Sequence, residues 1–216
     1  MEQGMTSIET ATAIAARHAE VLGKPQRVPM PPRDSVGEAV HKATALLRGN
    51  VVGDAAPLPL EAIPAIMFTM APFERMWNRL IDVTIAIQGP DSRLPLRDRK
   101  LAILRTGWLC QAPYEWGEHV AQSKRAGITS AEIERIIAGS TDPDWTAHER
   151  AILAAVEELH ADAMIGDATW DVLARTYDDE QLVELLVLIG QFTATAYFQN
   201  SLRLRLERGN QGLVAR

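Results

Sequence analysis

The segment Ala112-Pro113-Tyr114-Glu115-Trp116-Gly117-Glu118-His119 holds the densest chemistry in the chain. Pro113 suits the first position of a helix, where a backbone N–H has no intrahelical partner to lose. On such a helix Glu115 and His119 stand four residues apart and share one face. A carboxylate in a first turn is stabilised as the anion by the aligned backbone dipoles. It can orient an imidazole and stabilise its protonated form, a common way to build a general base near neutral pH. Tyr114 and Trp116 would supply aromatic walls and Tyr114 a hydroxyl. Gly117, without a side chain, leaves room for a ligand or a packed helix. The same spacing also describes a solvated surface pair worth roughly 0.2–0.5 kcal/mol. Trp108, Tyr114 and Trp116 equally suit a core. His148 reads as a first-turn helix residue and His160, after Glu157 and Glu158, as part of a surface face, while His18 and His41 lie on an N-terminal extension. Glu115 and His119 supply two metal ligands at most, with His160 a distant third, so neither a metal nor another cofactor is expected.

The helix before this segment must begin near Pro95. It carries Arg97, Asp98, Arg99 and Lys100, then an apolar stripe through Leu101, Leu104, Trp108 and Leu109. The spacing predicts helices at about 7–22, 35–48, 61–69, 72–87, 95–111, 113–126, 130–138, 147–164, 168–176 and 179–207, with no alternating strand pattern. Thr6-Ser7-Ile8-Glu9, Thr129-Ser130-Ala131-Glu132 and Thr146-Ala147-His148-Glu149 have capping-box form. Gly23, Gly49, Gly127 and Gly139 stand where helices should end. Residues 24–34 and 50–60 are rich in proline, which stops helices. They set off residues 1–60 as a helical extension that wraps a neighbouring subunit or covers a site, with the main body at 61–216 ending in a short polar tail. Shifting the sequence by 83 positions pairs Gly107 with Gly190, Leu109 with Phe192 and Tyr114 with Tyr197, the pattern an internal duplication would leave.

The 216 residues, 47% of them hydrophobic, suffice for one well-formed core. A net charge of −6 and the absence of a Lys/Arg run argue against a nucleic-acid partner. The single cysteine, Cys110, excludes an intramolecular disulfide and fits a reducing compartment. The first residues have no basic n-region, and apolar runs such as Leu185–Ile189 are short of a membrane span. A cytoplasmic protein with no membrane partner is expected.

Three stretches resemble the carboxymuconolactone decarboxylase-like family, which includes alkyl hydroperoxidase D: Arg97-Asp98-Arg99-Lys100-Leu101-Ala102-Ile103-Leu104-Arg105, the Tyr114-Glu115-Trp116-x-x-His119 block, and Ala126-Gly127-Ile128. The resemblance runs over about residues 61–207. It implies an all-α, AhpD-like helical bundle, a homo-oligomer (trimer or hexamer), and a site at the start of the helix bearing His119. The hydroperoxidase branch has a Cys-x-x-Cys pair where this chain has Ala112 and Glu115. Cys110 is out of register and lacks a partner, and dithiol peroxidase chemistry needs an attacking and a resolving thiol. The family's proton-relay glutamate falls on Lys100.

The resulting expectation is a cofactor-free acid/base enzyme, a decarboxylase, isomerase or related lyase, acting on a small acidic, lactone or carbonyl metabolite. His119 would be the acid/base and Glu115 its orienting partner. Tyr114, Trp116 and Trp108 would contact substrate, and Lys100 or Arg105 would clamp an anion. The alternative is a non-catalytic oligomeric binding or scaffold protein of the same fold. A thiol-dependent hydroperoxidase working through Cys110 comes last.

Overall fold

The computed structural model describes residues 7–47 and 58–216, and among them the chain is all-α, without a strand. Ten helices follow in order: α1 (Ser7–Val21), α2 (Gly37–Leu47), α3 (Ala65–Met70), α4 (Glu74–Gln88), α5 (Leu96–Leu109), α6 (Pro113–Arg125), α7 (Ser130–Ala138), α8 (Ala147–Asp162), α9 (Asp167–Leu173) and α10 (Asp179–Leu202). The Thr129 and Thr146 capping boxes form as expected, and Asp178 makes another with Gln181. The box at Thr6 and the stop at Gly49 lie outside the described residues. Gly127 and Gly139 end their helices with φ of 94° and 101°, the left-handed region that glycine enters freely.

The sequence reading ran too long at three places, one of them the helix expected over 168–176, which stops at Leu173. Where a helix over 61–69 is expected, a short 3-10 turn at Leu60–Ala62 precedes α3, because Pro64 restricts the residue before it and then serves as the N-cap. The last long helix stops at Leu202, not 207. Arg203 turns left-handed (φ 56°), and the amide of Leu204 returns to the carbonyl of Gln199. The shift of 83 positions pairs unlike environments. Tyr114 is buried at the start of α6, whereas Tyr197 lies mid-helix in α10 and is exposed.

Helix α5 is the centre of the bundle, in contact with α6, α7, α8 and α10. Its buried residues run without a break from Lys100 to Gly107, as befits a helix covered on all sides. Ile152, Leu153 and Val156 of α8 and Leu185, Leu188 and Ile189 of α10 join it in the main core. By length and composition α10, with a mean hydropathy of 1.3, would suffice to cross a membrane, which the reading of Leu185–Ile189 did not foresee. Here it is a bundle helix whose inner face packs on α5. A second cluster, built from Val40, Ala43, Ile63, Phe68, Trp77 and Ile81, ties α2 and α3 to α4. The N-terminal extension is part of the bundle. Ile14 of α1 joins the main core, and α2 belongs to the second.

The C-terminal segment is not the polar tail its composition suggests. Leu204, Leu213 and Ala215 are buried, and residues 207–216 lie against α6. The indole N–H of Trp116 donates to the carbonyl of Ala215 at 3.1 Å. The amide of Leu213 donates to Nε2 of His18 at 3.0 Å. Asn210 donates to the Tyr114 carbonyl and the Glu118 carboxylate, both at 3.0 Å. Gly117 makes this possible, since a Cβ there would stand 1.8 Å from Oδ1 of Asn210 and 3.0 Å from the amide of Gly212. The room that Gly117 leaves is filled by the chain's own C-terminus. Gly117→Ala should therefore destabilise the fold by about 1–3 kcal/mol, the usual cost of overpacking. Urea unfolding would measure it, and amide exchange faster at 207–216 than elsewhere would locate the damage. Wild-type stability in the variant would show that the tail does not pack there.

Candidate functional site

The turn between α5 and α6 sets the site. Gln111 occupies the left-handed region (φ 47°), a conformation costing a non-glycine residue about 1–2 kcal/mol. It is held by the Gln111 amide on the Trp108 carbonyl at 2.9 Å, by the Ala112 amide on the Gly107 carbonyl at 3.1 Å, and by the Arg17 guanidinium on the Gln111 carbonyl at 2.9 Å. The chain then reverses, and Pro113 starts α6 with its face of Glu115, His119 and Gln122 turned to one cavity.

That cavity has a volume of about 370 Å³ and lies between the two hydrophobic clusters. Lys100 of α5 and Tyr114, Glu115, Glu118, His119 and Gln122 of α6 give it one polar wall. Most of the remaining wall is apolar: Leu47 of α2, Ile66, Met67 and Met70 of α3, Trp77 and Ile81 of α4, Phe192 and Phe198 of α10. Gln199 adds a buried amide whose Oε1 accepts no hydrogen bond among the described residues.

Glu115 is 1% exposed, and neither of its carboxyl oxygens has a hydrogen-bond partner among the described residues. Burial disfavours the charged form and pushes this carboxyl well above the usual carboxylate range, favouring the protonated acid. The expected carboxylate orienting a protonated histidine is thus corrected. No hydrogen bond joins Glu115 to His119, and desolvation outweighs the help of the helix dipole. The His119 ring stands edge-on to Phe192, centroids 5.0 Å apart, with Nδ1 buried and unpartnered. Burial, with a further push from the Lys100 charge, lowers its pKa to about 3, so the imidazole is neutral.

Lys100 is 8% exposed and makes no ion pair among the described residues, only a hydrogen bond of 3.3 Å to Oε1 of Gln122. Burial, and then the nearby charges of Arg99 and Arg125, bring its pKa down to about 8. The Tyr114 hydroxyl donates to Glu207 at 3.0 Å, and burial holds its proton firmly. Glu207 also accepts from the Ala65 amide and pairs with Arg33 at 3.4 Å, so one carboxylate joins the extension, α3, α6 and the C-terminal segment beside the cavity.

Three expected substrate contacts are placed elsewhere. Trp116 is fully buried beneath the C-terminal segment, and Trp108 packs on it with centroids 5.0 Å apart. Arg105 caps the end of α7 by donating to the carbonyls of Ile136 and Ile137 at 2.9 and 2.8 Å, and it pairs with Glu157 at 2.9 Å. None of the three lines the cavity, because each is spent on packing or capping. Cys110 is also outside the lining, and burial raises its pKa to about 11. Sequence reasoning passed over Gln122, although it lies two helical turns beyond Glu115 on the same face. It had no signal for Gln199 or Phe192, which arrive from a helix eighty residues downstream. It also read His148 too plainly, for His148 Nε2 lies 3.0 Å from the buried Asp98 carboxylate, which accepts the Tyr177 hydroxyl at 2.6 Å as well. Among the described residues no group of three or more His, Cys, Asp or Glu side chains is arranged to hold a metal ion.

Comparison with known proteins follows the fold and the α4–α8 segment. Residues 71–158 match the carboxymuconolactone decarboxylase family. No curated protein matches. Among solved structures, a protein of unknown function from Agrobacterium tumefaciens, described as a putative antioxidant defence protein AhpD, shares 21% identity with a TM-score of 0.58, over 63% of this chain and 94% of its own. The debrominase Bmp8 in complex with 2,3,4-tribromopyrrole shares 15% identity with a TM-score of 0.68, over 87% and 95%. An uncharacterised peroxidase-related protein with an alkylhydroperoxidase AhpD core, from Ralstonia eutropha JMP134, shares 15% identity with a TM-score of 0.67, over 85% and 93%.

The protonation of Glu115 has a thermodynamic signature. Its folded pKa is raised, so its contribution to stability is complete below the unfolded value of 4.5 and is lost as pH rises towards the folded value. Glu115→Gln removes that titration while keeping shape and polarity. The variant should gain stability relative to wild type as pH rises above 4.5, measured as the difference in urea unfolding free energy at each pH. A difference that stays flat, or turns the other way, would show that Glu115 is ionised in the native protein.

Proposed function

We propose that this chain, whose residues 71–158 match the carboxymuconolactone decarboxylase family and whose fold is similar to AhpD-like proteins, is an acid/base enzyme acting on a small carbonyl, lactone or keto-acid metabolite held in the cavity. The observation that carries this reading is the meeting of Glu115, His119 and Lys100 on one wall of an otherwise largely apolar cavity, with the two Glu115 oxygens and His119 Nδ1 unpartnered. A buried, unsatisfied polar atom costs about 1–3 kcal/mol. Such atoms occur elsewhere among the described residues, but the gathering of these three and of Gln199 Oε1 on residues that line one cavity supports an occupant that satisfies them.

The opposed directions of the two shifts support a division of roles. A carboxyl kept neutral and an imidazole kept neutral are a proton donor and a proton acceptor at the same pH. His119 removes a proton next to the carbonyl, or returns one to carbon after carbon dioxide leaves. Glu115 donates a hydrogen bond to the oxygen on which charge develops. Lys100, when protonated, holds a substrate carboxylate or adds to that stabilisation. The chain supplies acid, base and cation itself, so the reading needs no cofactor. Decarboxylation and isomerisation share these steps. The debrominase with tribromopyrrole shows this fold in complex with a small ring compound, which supports an aromatic or cyclic occupant. Thiol peroxidase chemistry finds no support, because the lone Cys110 thiol is protonated at neutral pH and lies off the cavity.

A thermal-shift screen of wild type and His119→Ala against lactones, keto acids and aromatic acids tests the reading, since a ligand of the native state raises Tm by mass action. A wild-type hit should be weakened in the variant, and its turnover should fall about 10²–10⁴-fold, the usual contribution of a general acid/base. A hit bound and turned over equally by both proteins would place the chemistry elsewhere.

A further inference from the structure

Lys100 has a place that an anion clamp does not fully explain. A lysine kept only to bind anions needs a charge at every working pH, and burial works against that charge. The side chain comes from the most buried helix of the bundle, meets no carboxylate in an ion pair among the described residues, and ends against the neutral amide of Gln122. On the same wall stand an acid with both oxygens free and an imidazole with an unpartnered nitrogen.

We propose that Lys100 is a covalent nucleophile that captures uncharged aldehydes or ketones in the cavity as an imine, with Glu115 and His119 moving the protons. The inference rests on the reading of this cavity as a substrate site. A lysine made nucleophilic by an apolar surround and by neighbouring cations is a general device, and both conditions hold, with Arg99 and Arg125 the neighbouring charges that help lower its pKa to about 8. At pH 7 about one molecule in ten then has the free amine, against fewer than about one in a thousand for an ordinary lysine.

The steps balance. The Nζ lone pair attacks the carbonyl carbon, and the π pair moves to oxygen, which takes the Glu115 proton. The nitrogen gives a proton to His119, leaving a neutral carbinolamine. The nitrogen lone pair then expels the hydroxyl, which leaves as water with the proton returned by His119. The products are a protonated imine, one water and the Glu115 carboxylate. No electrons are gained or lost overall, and the new cation is created together with an anion on the same wall. The imine would then accept the electron pair released by proton loss or decarboxylation at the adjacent carbon.

The test is reductive trapping of the wild-type protein with benzaldehyde and sodium cyanoborohydride at pH 7.5, followed by peptide mapping. The chain has four lysines, and Lys24, Lys42 and Lys124 are exposed, so they serve as internal controls. Among the four lysines the expected result is one benzyl adduct, on Lys100, formed at least about tenfold faster than on the other three. Its rate should rise with a midpoint near pH 8. Benzoate, which has the same ring and no electrophile, is run in parallel by thermal shift. A benzoate shift with labelling spread evenly over all four lysines, or absent from Lys100, overturns the imine and leaves the binding site intact. No shift and no Lys100 adduct overturns both. Because the mapping uses the native protein, it does not depend on whether a Lys100→Met variant folds.

Discussion

A helix covered on every side can hold a charged group only if something within reach compensates it, because desolvating an ion costs several kcal/mol. Helix α5 meets this constraint at the buried Asp98 and Arg105, and its exposed Arg97 is paired as well. Arg97 bridges Glu132 and Glu149 at 2.6 and 2.8 Å, the same glutamates that close the capping boxes of α7 and α8. Asp98 takes hydrogen bonds from Tyr177 and His148. Arg105 satisfies the last carbonyls of α7 and pairs with Glu157. Three helix ends are fastened by Arg97 and Arg105, Arg99 reaches only the Ile87 carbonyl at 3.4 Å, and Lys100 faces the cavity. The cavity begins where the bundle's own compensation stops.

Segments outside the family match help to enclose and support that space. Residues 203–216 bury apolar side chains against α6, and α2 and α3 furnish the facing apolar wall. Glu207 is the point where they meet, since it binds the Ala65 amide, the Tyr114 hydroxyl and Arg33. Loosening this carboxylate would release α3 and the C-terminal segment together.

Local features were legible because their causes are local. The boxes at Thr129 and Thr146, the stops at Gly127 and Gly139 and the opening of α6 at Pro113 each depend on a few neighbouring residues. The face shared by Glu115 and His119 followed from helical spacing alone. What spacing does not contain is depth. Trp116 looked like a ligand wall and is a core residue because Ala215, 99 positions away, takes its indole hydrogen. Arg105 looked like an anion clamp and is a helix cap for the same kind of reason. Glu115 looked like an anion because its place in the first turn was visible and the apolar groups around it were not.

The same burial acts in opposite directions on an acid and on two bases, and this sets what the cavity can do. It keeps the proton on Glu115, keeps it off His119 and draws it part-way off Lys100. Any single proton transfer inside the cavity creates a charge there, so the transfers that proceed are those forming two opposite charges together or meeting a charge the occupant brings. A carboxylate-bearing occupant would favour protonated Lys100 and be held as an ion pair. A neutral carbonyl compound would leave the amine free and open to attack. The two uses of Lys100 exclude each other at one moment, and the occupant's own charge selects between them.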